Sequence, residues 1–181
     1  MERQTMKDHI ADNFEELLEA KSFESITVSE IARKSHISRT TFYRCFQDKF
    51  DLVTWIYKQE INQILTRYPQ GYQWETIVLE FLQLTLRKKT FFRLTLTYYQ
   101  QNSLFETIYE CGYSYCKEII LKRLKAEKLP ENLEYSVHMY TFSIAYIEKE
   151  WILNGMKEKP EKLAEYLCEN MPVPMQPYFQ E

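Results

Sequence analysis

Glycine and proline are both scarce in this chain, 3 and 6 residues among 181, and five of the prolines lie beyond residue 129. Regular alternation of apolar and polar residues is also scarce. A sheet protein needs turn formers and that alternation, so the composition points to long helices joined by brief loops. No apolar stretch approaches the ~18–20 residues that span a bilayer. The opening MERQTMKDH carries charge where a secretory signal needs an apolar run, so a soluble, cytoplasmic protein with no membrane partner is expected. Cys45, Cys111, Cys116 and Cys168 form no CxxC pair, and His9, His36 and His138 stand at no metal-ligand spacing from them. A zinc motif and a disulfide framework are thereby excluded, and reduced, structural cysteines are expected. With no recognisable nucleophile–base pair, metal set or phosphate loop, an enzyme is not the reading, and no cofactor or metal is implied.

What is present is apolar residues in helical register. Hydrophobic residues make up 45% of the chain, enough for a sizeable core. Ile10, Phe14, Leu17 and Leu18 recur at three- and four-residue intervals and predict a helix over 5 to 21. Thr27 with Glu30 three residues on is a capping box that opens a short helix over 28 to 34. Ser35 to Ser38 is long enough for a tight turn and no more, and Ser38 is an N-cap for a helix over 39 to 45. Gln47 and Asp48 cap a longer helix that starts at Lys49 and ends before Pro69 and Gly71. Further helices are expected over about 73 to 88, 91 to 101, 103 to 127, 131 to 154 and 160 to 170, with an irregular, proline-rich tail from 172.

The two short helices and their four-residue turn, braced by the first helix, meet the requirements of a helix-turn-helix DNA reader. Ile31, Ala32, Ile37, Phe42 and Phe46 supply its apolar faces. Ser38, Arg39, Thr40, Thr41, Tyr43 and Arg44 remain outward, a set of hydroxyls, a phenol and two guanidinium forks suited to phosphates and base edges. The formal net charge is -3, but residues 28 to 49 carry five basic against two acidic side chains. A small basic face therefore sits on an acidic body.

The string from Ile26 to Lys49 resembles the TetR family signature: a Thr-Val helix start, Ile-Ala, an Ile-Ser turn, Phe-Tyr, then Phe-x-x-Lys. The resemblance covers about residues 7 to 54. It implies an all-α protein, with a three-helix DNA-binding domain over 1–48 followed by an effector-binding and dimerising helical domain over 49–181, acting on double-stranded operator DNA. It further implies that Thr27, Ser38, Thr41, Tyr43 and Lys49 meet the DNA backbone, while Arg39 and Thr40 lie where bases are read. The chain departs from the family at Ser22, His36, Thr40 and Cys45, so base preference does not carry over. His36, in place of a frequent glycine, either takes a left-handed turn conformation or reaches a phosphate.

In the body, the segment 131 to 154 has two apolar stripes, Val137, Tyr140, Ile144, Ile147 and Trp151 on one side and Met139, Phe142, Tyr146 and Leu153 on the other. A second subunit is the simplest second cover, which predicts a homodimer through Ile147, Trp151, Leu163, Tyr166 and Leu167; a fully internal helix is the alternative. Eight of the 14 tyrosines lie between 98 and 146. In the family this region encloses an effector pocket, for which Tyr98, Tyr113, His138 and Phe142 are the candidates, although ordinary bundle packing accounts for such tyrosines equally. The stretch Thr97 to Phe105 resembles TetR regulators of dihydroxyacetone kinase operons. The expected function is a repressor released by a small-molecule effector, with an activator or co-regulator switched by a partner protein as the alternative.

Overall fold

The computed structural model describes residues 5–68, 73–97 and 104–179, which form nine α-helices, one 3₁₀ turn and no strand. The first four helices begin where short polar side chains satisfy the leading amides. Thr5 and Asp8 form a capping box on α1 (Met6–Ala20), and Thr27 and Glu30 form another on α2 (Val28–Lys34). Ser38 accepts from the Thr41 amide to start α3 (Arg39–Cys45), and Asp48 accepts from the amides of Phe50 and Asp51 to start α4 (Lys49–Leu65). The turn between α2 and α3 is a Schellman motif. The Ile37 amide donates to the Ala32 carbonyl at 2.9 Å and the His36 amide to that of Arg33 at 3.1 Å, with His36 at φ 54°. Of the two alternatives for His36, its backbone takes the left-handed one.

The body comprises α5 (Trp74–Arg87), α6 (Lys89–Leu96), α7 (Leu104–Leu124), α8 (Glu131–Leu153) and α9 (Pro160–Glu169). One continuous buried cluster runs from Ile10 to Phe179, so the reading unit and the body share a core. Helix α4 joins them: Leu52, Val53 and Ile56 are buried toward its start, and Tyr57, Ile61 and Ile64 further along. Lys88, at the α5–α6 junction, places its ammonium 2.8 Å from Glu15 of α1 and 2.6 Å from Glu60 of α4. Burial opposes that charge, but the two carboxylates outweigh burial and raise the Lys88 pKa.

Two expectations about the body are corrected. Trp151, assigned from sequence to a subunit contact, is buried within the chain itself, whereas Leu163 and Leu167, also mostly buried, line a groove between α8 and α9. Trp151 donates its indole N–H to the Glu158 carbonyl at 3.0 Å, fastening the α8–α9 loop. Ile147 and Tyr166 do lie at the surface, 39% and 47% exposed. The tail is not wholly irregular either: a 3₁₀ turn at Gln176–Tyr178 follows the fully buried Met175, and Phe179 packs 5.1 Å from Trp74. Tyr98, Pro69 and Gly71 lie outside the described residues.

Lys49 closes the reading unit from within. Its ammonium donates to the carbonyls of Phe23, Glu24 and Ile26 at 2.7, 3.1 and 2.9 Å and lies 4.5 Å from the centre of the Phe23 ring. Burial lowers its pKa, with Glu24 pulling the other way. Lys49→Met keeps the hydrocarbon stem and removes all three donors. It is expected to lower unfolding free energy by about 1–2 kcal/mol, the low end for a charged donor because water reaches the site. Urea denaturation checks this, and Lys49→Arg should recover part of the loss.

Candidate nucleic-acid interface

A core of phenylalanines holds the reading unit together. Phe14 of α1 meets Phe23 edge-on at 6.2 Å, Phe23 meets Phe50 at 5.3 Å, and Phe42 packs 5.8 Å from Phe46. Phe14, Phe23, Phe42 and Phe46 are among the most fully buried large side chains of the protein. Polar links then orient α2: His9 bonds the Ser35 carbonyl at 3.0 Å and Lys34 pairs with Glu16 at 2.7 Å. Glu30 pairs with Lys21, and that contact, together with Thr27, holds its carboxyl down at about 2.

With Phe42 facing inward, helical geometry turns Arg39, Thr40, Tyr43 and Arg44 outward, and all four are exposed. The Arg39 guanidinium lies 5.9 Å from the Tyr43 ring centre, and Tyr43 meets Phe42 edge-on at 5.7 Å. Both are thereby ordered on one surface. Arg33, counted from sequence in the basic face, and His36, one of whose sequence alternatives was a phosphate contact, are exposed as well.

The expected backbone contacts divide into two kinds. Tyr43 is outward. The Thr27, Ser38 and Thr41 hydroxyls take part in helix capping, with Ser38 Oγ and Thr41 Oγ1 2.9 Å apart; such hydroxyls retain spare hydrogen-bonding capacity. Lys49 is different, because all three of its donors face carbonyls of the loop before α2. The structure makes it a brace of the reading unit. Lys34 is likewise engaged by Glu16, so the outward cationic face consists of Arg33, Arg39 and Arg44.

The effector candidates do not converge on one cavity. Tyr113 and His138 stack at 4.1 Å on the outer side of the α7–α8 pair, where His138 also shares a hydrogen bond with Tyr109 and Tyr113 donates to Glu134 at 3.1 Å. Phe142 is exposed, edge-on to Phe105 at 5.5 Å. Their rings are satisfied by one another across α7 and α8. The interior cavity lies elsewhere, between α4, α5, α7 and α8, and at about 50 Å³ it is far smaller than a usual ligand site. Ile61, Val78, Leu82 and Ile108 line it, together with Tyr57, Cys111, Thr141 and Glu148.

Glu148 is the residue that sequence reasoning missed. It is 7% exposed on α8, and its Oε1 accepts from the Thr85 hydroxyl at 2.5 Å. A charged residue between Ile147 and Trp151, at a position that must face inward, was the available signal.

The description "Bacterial regulatory proteins, tetR family" fits residues 12–54, and "Transcriptional regulator C-terminal region" fits residues 72–172. The dhaKLM operon transcriptional activator DhaS of Lactococcus lactis is 27% identical over 84 residues, 46% of this chain and 45% of that protein, so the match spans under half of the relative. An HTH-type transcriptional regulator of Staphylococcus aureus is 23% identical over 176 residues, covering 86% of this chain and 95% of its own length. Among solved structures, the dihydroxyacetone kinase operon activator DhaS superposes with a TM-score of 0.69 at 19% identity, over 96% of this chain and 97% of that one. That likeness is one of fold.

The environment of Glu148 carries a pH signature. Burial raises its pKa from 4.5 to about 7, against the Thr85 hydrogen bond that lowers it. Between those values the unfolded chain releases the proton while the folded chain keeps it, so this residue's effect on stability is absent below about pH 4.5 and increasingly adverse up to about pH 7. Glu148→Gln should therefore match the parent near pH 4.5 and exceed it by up to about 3 kcal/mol at pH 8, as read from urea midpoints at both pH values.

Proposed function

The chain belongs to the tetR family of bacterial regulatory proteins and is a DNA-binding transcriptional regulator; we propose that it holds its operator as a dimer and is released by a small molecule entering the α4–α5–α7–α8 cavity. The observation that carries this reading is the outward face of α3, with Arg39, Thr40, Tyr43 and Arg44 presented by a rigid phenylalanine core. Side chains at the start of a reading helix meet base edges, and those a turn later meet phosphates. Arg39 and Thr40 accordingly read bases. Tyr43 and Arg44, with the capping hydroxyls of Thr27, Ser38 and Thr41, fix the register on the backbone.

Two such heads must sit about one helical turn of DNA apart, which requires a second subunit. Helix α8 supplies the surface: Met139 is 68% exposed, with Ile147 and with Tyr166 of α9 beside it. These residues rim a groove between α8 and α9 that also takes in Ser143 and Pro172. Apolar exposure of this extent on one helix face fits a self-complementary contact. An effector that rearranges the bundle alters the spacing of the two heads and with it operator affinity.

A second reading, activation rather than repression, is favoured by one observation: both the sequence relative from L. lactis and the structural neighbour DhaS are activators by name. Transcription of the target genes in a deletion strain separates the two. A rise is expected for a repressor and a fall for an activator.

Two substitutions test the architecture. Arg39→Ala should cost ~1–3 kcal/mol on the operator and flatten preference at one position of each half-site, because a guanidinium fork discriminates guanine. Binding to operator and scrambled DNA across a salt series decides this. Equal losses on both would make Arg39 a phosphate anchor. Met139→Asp with Ile147→Asp should give a folded monomer by light scattering and circular dichroism, whereas an unaltered dimer would place the interface elsewhere.

A further inference from the structure

The interior cavity is mostly apolar and holds one acidic group. Its lining contains Glu148 but no lysine, arginine or histidine. The titratable groups that line the cavity from the neighbouring helices are Tyr57 of α4 and Cys111 and Tyr115 of α7, and burial raises the pKa of all three, so each is neutral at ordinary pH. From α5 comes the neutral hydroxyl of Thr85. On α8 itself, Lys149 lies over the Phe105 ring at 5.4 Å, one residue around the helix from the cavity side.

The Thr85 hydroxyl engages Oε1. Among the described residues Oε2 has no hydrogen-bond partner. A carboxylate removed from water with a single hydroxyl for compensation is costly, and a cation brought into contact with it repays much of that cost. The space of about 50 Å³ holds about three or four water-sized groups, enough for a head group and a slender chain.

We infer that the cavity takes a small aliphatic amine whose ammonium pairs with Glu148 and whose hydrocarbon lies along Ile61, Val78, Leu82 and Ile108. This rests on the reading that the cavity is the effector site, and it names the effector's chemical class. The same contact has a route to the DNA-binding unit. Thr85 stands one turn before Lys88 on α5, and Lys88 holds Glu15 of α1 and Glu60 of α4. An ammonium that draws Glu148 from Thr85 therefore acts on the helix that ends at the joint with the reading unit.

The probe pair is n-propylamine and 1-propanol, equal in size and different in charge, titrated by calorimetry into the full-length protein at pH 6 and pH 8. The amine is expected to bind at least tenfold more tightly than the alcohol at pH 8. Its affinity should fall about tenfold at pH 6, where a carboxyl titrating near 7 is about nine-tenths protonated. Glu148→Gln should abolish the preference for the amine and the pH dependence, with 1-propanol unaffected. The pH contrast in the unmodified protein stands even if the variant folds poorly. Equal binding of both probes, binding insensitive to pH and to Glu148, or no amine binding at all overturns the assignment. A parallel anisotropy titration on a selected genomic DNA fragment separates the two readings. Glu148-dependent amine binding that leaves DNA affinity unchanged keeps the ligand class and removes effector release. Release of DNA by a compound that ignores Glu148 does the reverse.

Discussion

Helix α4 has to be buried at both ends by different partners, and this constraint ties the reading unit to the body. Its first half completes the core built by Phe14, Phe23, Phe42 and Phe46, and its second half walls the interior cavity with Tyr57 and Ile61. Neither half could be left in water without exposing a run of apolar side chains. Polar contacts then fix the angle. Lys49 locks the start of α4 to the loop that precedes α2, and Lys88 locks its middle to α1 and to the α5–α6 junction. An ion pair that bridges three helices, at a position only partly open to water, is screened less than a surface pair and is more exacting about geometry.

The consequence for function is mechanical. The reading helix is short, seven residues, and derives its orientation from packing rather than from its own stability. Phe46, at the end of α3, packs edge-on against Trp55 of α4 at 5.7 Å, which ties the two helices together. Buried Glu148 links two further helices, since its hydroxyl partner belongs to α5 and its own helix carries the exposed Met139 and Ile147. A charge held in an apolar cavity stabilises little by itself. In the proposed amine site, its value lies in the difference between an occupied and an empty cavity.

The two sides of α8 differ in their cover. Val137, Tyr140, Ala145 and Ile152 are buried by the chain's own bundle, while Tyr135, Met139, Phe142 and Tyr146 are exposed. Tyr140 accepts from the Trp74 indole at 2.9 Å and donates to the Leu167 carbonyl at 3.0 Å, giving a buried phenol both of its partners. The exposed stripe has no such cover from its own chain.

Where helices begin was legible in the sequence, because a cap is a local event: Thr5, Thr27, Ser38 and Asp48 each act on amides within three residues. The outward set on α3 was legible for the same reason, since burying Phe42 and Phe46 leaves the helical period no other face for Arg39, Thr40 and Tyr43. Partners distant in sequence were not legible. Lys49 looks like a phosphate ligand until its three carbonyls, 23 to 26 residues away, are brought to it. Trp151 carries the periodicity of an interface, but periodicity says only that a face is covered, and tertiary packing decided that its own bundle covers it. Tyr113 and His138 had the composition of a pocket and satisfy one another outside it. Glu148 had the composition of a surface residue and stands inside: its place in the helical pattern marked an inward position, but its partner Thr85 lies 63 residues away and only tertiary packing brings the two together.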